Sequence, residues 1–151
     1  MATVYFEDLV ERHEYCGAEV TVDKDEMLEY ARKNDPWPFH VDENAAKASP
    51  FGGLIASGGY AISLYYRLGH MLHNTPDAKW AFLGGFDWHV SFLRPIRSAD
   101  RLRRKTVVRS KRLSSKPGRG IVDTVGTLIN QNDEEVLRIE VASLIATRPS
   151  A

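Results

Sequence analysis

The sequence predicts an α+β fold in which one long helix packs against a curled antiparallel sheet. Three observations predict it. Between residues 58 and 72, apolar side chains recur at helical spacing in a segment that an uncharged, Gly-rich run opens. From Trp80 onward the apolar period falls to two, the spacing of strands. The segments joining those strands are short and turn-rich, which favours antiparallel meanders over parallel crossovers.

The chain has 151 residues, 43% of them hydrophobic, and no Pro/Gly/Ser-rich linker divides it. It is read as one domain over residues 1–151 with one core. Twenty basic residues balance twenty acidic ones, so net charge points to neither nucleic acid nor an anionic membrane. A lone Cys16 suits a reducing compartment, and the N-terminal MATVYFEDLVERHEY lacks the apolar core of a signal peptide. A cytoplasmic location is expected. The longest uncharged run, residues 48–66, approaches the length of a membrane span but contains Pro50, four glycines and three serines, so a buried helix fits better.

Residues 16–22 (CGAEVTV) read as a strand. Asp23 then caps a helix, with Glu26 completing a capping box and Met27, Tyr30 and Ala31 forming its apolar stripe up to about Asn34. Asp42 caps a brief helical stretch through Ala48 that Pro50 stops. Ser57 is the N-cap of the central helix, in which Ala61, Leu64, Tyr65, Leu68 and Leu72 form one stripe and Ile62, Tyr66 and Gly69 a second. A helix apolar on so much of its girth is expected to be wrapped by the sheet.

Trp80, Phe82, Phe86, Trp88, Val90 and Phe92 fall on alternate positions of a strand interrupted by a bulge at Gly84 and Gly85 and ended by Pro95. Residues 101–113, 120–130 and 134–147 supply three more strands, joined through SSKPGRG and the polar turn NQND.

The chemistry concentrates between Asp35 and Gly58, in DPWPFHVDENAAKASPFGGLIASG. A carboxylate and an imidazole, Asp35 and His40, stand five residues apart, and Pro36 and Pro38 are expected to keep the segment between them a stiff, non-helical loop. Gly58 opens the central helix, where the first N–H groups have no intrahelical partner and can receive an oxygen gaining negative charge. These are the parts that acid/base work on a thioester carbonyl needs.

DPWPFH followed by FGGLIASG, the aromatic strand ending FLRPI, and SADRL together resemble the MaoC-like dehydratases, which include the (R)-specific enoyl-CoA hydratases. The resemblance runs over nearly the whole chain and implies the hotdog fold, a curved antiparallel sheet wrapped around a central helix, as a homodimer or higher homo-oligomer. It implies a hydro-lyase that adds water to a 2-enoyl thioester or removes it from a 3-hydroxyacyl thioester. No metal or organic cofactor is implied beyond the coenzyme A or acyl-carrier arm of the substrate. Asp35 and His40 match the family's catalytic pair and would jointly hold a water, while the Gly58 N–H would stabilise charge on the thioester oxygen. Two positions depart from the family pattern: Trp37 stands where the motif has Asn, and Ser57 where a His commonly precedes the glycine.

Plainer readings stand beside these. An Asp and a His on a Pro-rich segment can be a surface turn. Ser57 could be a nucleophile, although ASGG lacks the GxSxG elbow, and an N-cap fits it better. His70 and His73 lie one helical turn apart without a visible third metal ligand, and suit the C-terminal end of a helix. His89 reads as a packed polar residue. Residues 94–119 carry eleven Lys/Arg against Asp100 alone, either to hold the phosphates of an acyl carrier or as a solvated strand face. Tyr60 and Tyr66 are candidates for an acyl pocket, with Tyr65, Phe82 and Trp88 behind them, or simply core. An acyl-CoA thioesterase and a non-catalytic acyl-thioester-binding subunit are the competing functions, since one fold hosts several chemistries.

Overall fold

The computed structural model describes residues 2–150. In chain order they form β1 (Thr3–Val4), a 3-10 turn (Phe6–Asp8), β2 (Glu14–Cys16), β3 (Val20–Thr21), α1 (Lys24–Asn34), α2 (Pro38–Val41), α3 (Glu43–Ala48), α4 (Gly58–His73), β4 (Lys79–Trp80), β5 (Phe82–Phe92), β6 (Arg101–Leu113), β7 (Arg119–Ile129) and β8 (Glu135–Ala146). The principal sheet is antiparallel in the order β2-β6-β7-β8-β5, with β3 also pairing β6, and α4 packs on it. This is the hotdog fold. None of the described helices is long and apolar enough to cross a membrane.

Alternation sets which face of the sheet meets the helix. Along β7, Val122, Thr124 and Leu128 turn inward, while Asp123 and Val125 are half-exposed. The main core joins Tyr60, Ala61, Leu64, Tyr65 and Leu68 of α4 to Leu102, Leu128, Leu137 and Ile139 of the sheet. A smaller cluster, Phe6, Leu9, Val108, Val122 and Ile145, seats the N-terminal segment on the same sheet. Each fully buried Leu or Ile removed from water contributes about 1.5–3 kcal/mol, so the first cluster holds helix to sheet and the second holds the N-terminal segment to it.

Several local expectations are corrected. The strand expected over 16–22 is two short pieces, because the chain leaves the sheet at Gly17 and rejoins β6 only at Val20. The Asp23 carboxylate does accept from the Glu26 N–H at 2.9 Å, but Glu26 does not return the bond. Its carboxylate instead accepts from the Tyr60 hydroxyl at 2.6 Å and Arg67 Nη2 at 2.8 Å, tying α1 to α4. Trp80 lies outside the long strand, in a two-residue parallel pair with β1. The bulge does occur at Gly84 and Gly85, as two register shifts against β8. The central helix is not wrapped all round: Tyr66 and Met71 are exposed, since a single sheet covers only one side of it. Phe82, Phe86 and Phe92 of β5 are exposed too, each by more than half, on a strand that forms one edge of the sheet.

Candidate active site

Asp35 sits where α1 stops. Its N–H closes the last turn on the Ala31 carbonyl at 2.8 Å, and its own backbone has already left helical geometry. The expected non-helical loop is corrected here: Pro38 begins the one-turn helix α2, which carries His40. Proline suits that first position because its missing N–H is one a helix start leaves unpaired anyway. Trp37, where the family motif has Asn, points an exposed indole to solvent, and the side chain that hydrogen-bonds Asp35 belongs to another residue.

That residue is Ser57. It occupies the N-cap position of α4 but makes no capping bond; its buried hydroxyl donates to Asp35 Oδ2 at 2.7 Å. The N-cap role read from the sequence is thus positional only. Gly58 N–H is left without a protein partner among the described residues. A side chain at 58 would not fit beside it, since a Cβ there would lie 2.8 Å from the Phe92 ring.

His40 is buried and fixed at one nitrogen. Nδ1 lies 2.8 Å from the Ile55 carbonyl, which can only accept, so Nδ1 carries the proton and Nε2 is the free nitrogen. The segment supplying that carbonyl is clamped on both sides, by Ile55 N–H to the Phe39 carbonyl at 3.2 Å and Ala56 N–H to the Ile96 carbonyl at 2.8 Å. Nε2 faces Asp35 Oδ2 at 3.5 Å. In the neutral ring this sets two acceptors opposite each other, with no hydrogen of their own between them.

His40 and Gly58 line one cavity of about 440 Å³, with Phe39, Phe51, Ala61 and Phe92 among its apolar walls and Arg94 at its polar side. Asp35 and Ser57 contribute no wall to it; Asp35 approaches the imidazole from the outside, with 34% of its side chain exposed. The structure thus brings Asp35, His40, Ser57 and Gly58 together. The other two candidates lie elsewhere. Tyr60 is buried in the core with its hydroxyl on Glu26, and that bond and burial push its pKa up. Tyr66 lines a different cavity farther along α4.

Five arginines of the basic stretch 94–119 are ion-paired: Arg94, Arg101, Arg103, Arg109 and Arg112 pair with Glu134, Glu19, Asp133, Glu140 and Asp123. Those arginines belong to a solvated, ion-paired sheet surface. Among the described residues, no cluster of three or more His, Cys, Asp or Glu side chains of metal-binding type includes His70 and His73. His70 Nδ1 bonds the Asn74 side chain, and His73 Nε2 the Thr106 hydroxyl. Ser57's contact with Asp35 and the placement of Arg97, described below, carried no local sequence signal.

The family model for the MaoC like domain matches residues 6–128. The chain belongs to the MaoC-like family. The crystal structure of a MaoC-like dehydratase from Rhodospirillum rubrum superimposes on this MaoC-like chain with a TM-score of 0.87, at 30% identity over 97% of this chain and 99% of the other. YdeM of Bacillus subtilis, an uncharacterized protein, is 30% identical over 127 residues, covering 82% of this chain and 86% of its own. The (R)-hydratase PhaJ1 of Pseudomonas aeruginosa shares the fold, with a TM-score of 0.71 at 20% identity over 97% and 87% of the two chains.

Proposed function

We propose that this MaoC-like protein is a hydro-lyase that interconverts a 2-enoyl thioester and its 3-hydroxyacyl form. The observation that carries the reading is the pairing of a free, correctly tautomerised Nε2 of His40 with the Asp35 carboxylate at 3.5 Å, beside the unpartnered N–H that opens α4.

In the hydration direction a water is held by Asp35 and His40 Nε2, and its oxygen attacks C3 of the enoyl thioester. The Asp35–His40 pair takes one proton from that water as the O–C3 bond forms, and returns it to C2, which holds the electron pair of the former double bond. The two groups act as a coupled pair, so the protons belong to the pair rather than to fixed owners. Negative charge gathering on the thioester oxygen is met by the Gly58 N–H and the positive end of the sixteen-residue α4. Elimination of water runs the same steps backwards. Side chains and water carry the whole reaction, so no metal or organic cofactor enters it.

The thioester end of the acyl chain belongs in the cavity of His40 and Gly58, against Phe51 and Phe92. We also infer a homodimer. β5 is an eleven-residue edge strand with Phe82, Leu83, Phe86 and Phe92 exposed, a surface that invites strand pairing with a second copy.

A panel of enoyl-CoAs from short to medium chain tests the reaction class. Loss of the conjugated enoyl absorbance without release of free thiol is the expected result. Thiol release with the absorbance intact would assign a thioesterase instead, and binding without turnover a non-catalytic subunit.

A further inference from the structure

Phe51 walls one side of the cavity of His40 and Gly58, and it stands on a segment that few polar contacts fix. Residues 49–53 form a turn between α3 and the run into α4. The Gly52 N–H reaches the Ser49 carbonyl at 3.1 Å and the Phe51 N–H the Ser49 hydroxyl at 3.2 Å, both within the turn. Gly52 turns the chain at a φ of +68°, a conformation that favours glycine. Among the described residues, one hydrogen bond ties residues 50–54 to anything beyond Ser49: Arg97 Nη2 donates to the Phe51 carbonyl at 2.5 Å.

Arg97 is itself well anchored. Its N–H donates to Asp100 Oδ2 at 2.9 Å, Gln131 Nε2 holds Oδ1 of that carboxylate at 3.0 Å, and the carbonyl of buried Ile96 accepts from the Ala56 N–H at 2.8 Å. The guanidinium lies against the loop backbone, since a Cβ at Gly53 would fall 3.2 Å from Nη1. Among the described residues no carboxylate lies within ion-pair distance of it, whereas Arg94, Arg101 and Arg103 each have an acid. Its charge is directed at a carbonyl, and such a charged donor makes a bond roughly twice as strong as a neutral one.

The loop carries a wall of the site and not its reacting groups. The Phe51 ring packs edge-on against Phe39 with centroids 5.3 Å apart, and Phe39 against His40 at 4.5 Å. The bond that fixes the imidazole, from Nδ1 to the Ile55 carbonyl, lies outside the loop. Opening residues 50–54 therefore removes apolar surface from the cavity and leaves His40 and Asp35 aimed.

We propose that Arg97 is a positioning residue that latches residues 50–54 over the cavity, governing how tightly the thioester substrate is held rather than how fast it reacts. Apparent affinity falls with the closed population, so a latch weakened until about one chain in ten is closed raises KM about tenfold. Ser57 has the opposite signature, because it acts on the acid itself. The substrate side of this inference rests on the hydration reading; the latch does not.

Crotonyl-CoA hydration kinetics and limited chymotrypsin digestion of the full chain, with cut sites mapped by mass spectrometry, test this together. Arg97→Met is expected to raise KM about tenfold with kcat little changed, and to speed cleavage after Phe51 severalfold while other sites keep their rates. Phe51→Ala already lacks the wall, so adding Arg97→Met to it is expected to raise KM no further. Should Arg97→Met not fold, Arg97→Lys, which keeps a donor but not the planar fork, is expected to show the same two changes to a smaller degree. An unchanged KM, unchanged cleavage after Phe51, a fall in kcat at constant KM, or full additivity in the double variant would each overturn the proposal. A wild type that hydrates no enoyl-CoA would defeat the hydration reading alone, and cleavage after Phe51 then decides the latch.

Discussion

The Ser57 hydroxyl donates to the Asp35 carboxylate at 2.7 Å, joining the residue just before α4 to the residue just after α1 across 22 positions of sequence. The bond does two things at once. It aims the acid at His40, and by drawing the serine away from capping it leaves the helix N–H groups open to substrate.

Ser57→Ala is therefore expected to lower kcat by roughly tenfold to a hundredfold with KM little changed, the effect of an acid misplaced by a fraction of an ångström. Steady-state kinetics on an enoyl-CoA substrate check this. An unchanged kcat would mean that Asp35 is held without the serine.

Gly58→Ala places a methyl group 2.8 Å from a ring carbon of Phe92. Phe92 is exposed and its ring can swing aside, so the cost falls at the lower end of the range for overpacking, about 1–3 kcal/mol. Chemical denaturation is expected to show the loss, and Phe92→Ala in the same chain to restore most of it. A single variant as stable as wild type would contradict the contact.

His73 predicts an acid-sensitive stability. Its folded pKa of about 3 lies below the ordinary 6.5, so the unfolded chain takes up the proton first. The ring's contribution is complete above 6.5 and is lost as pH falls from there towards 3. Glu26, its pKa lowered by the Tyr60 hydroxyl and then by Arg67, adds a second loss only below its ordinary 4.5. Melting temperatures between pH 6.5 and 4.5 should thus fall in wild type and flatten in His73→Phe. Parallel curves would contradict the assignment.

The exposed β5 edge predicts association. Phe86→Lys combined with Leu83→Lys puts charge on the edge strand and is expected to shift sedimentation from dimer to monomer. A wild-type monomer, or a charged variant that remains dimeric, would place the interface elsewhere or remove it.

Much of this was legible in the sequence because its signals are local. The stripe Ala61, Leu64, Tyr65, Leu68 specifies a helix with one buried face, and the Asp35 and His40 pair announces itself by residue type and spacing. What escaped depends on partners far along the chain. Pro38 could end a helix or begin one, and only its place after the extended Trp37 backbone decides for the start of α2. Ser57 fits an N-cap as well as a carboxylate clamp, and the position of α1 chooses between them. The ten-charge excess of residues 94–119 is reduced by acids brought in from other segments, which pair with Arg101, Arg103, Arg109 and Arg112 of β6, whereas Arg104 is turned toward α4. Two-residue strands such as β1 and β4 are too short to leave a period at all.

The central claim is that Asp35 and His40 share one water, and the most direct measurement is crotonyl-CoA hydration by Asp35→Asn and His40→Ala at equal folded concentration. Turnover is expected to fall by roughly 10² to 10⁴ in each, with the circular dichroism of wild type retained, and the double variant to lose little more than either single one. Near-normal hydration by either single variant would contradict the account.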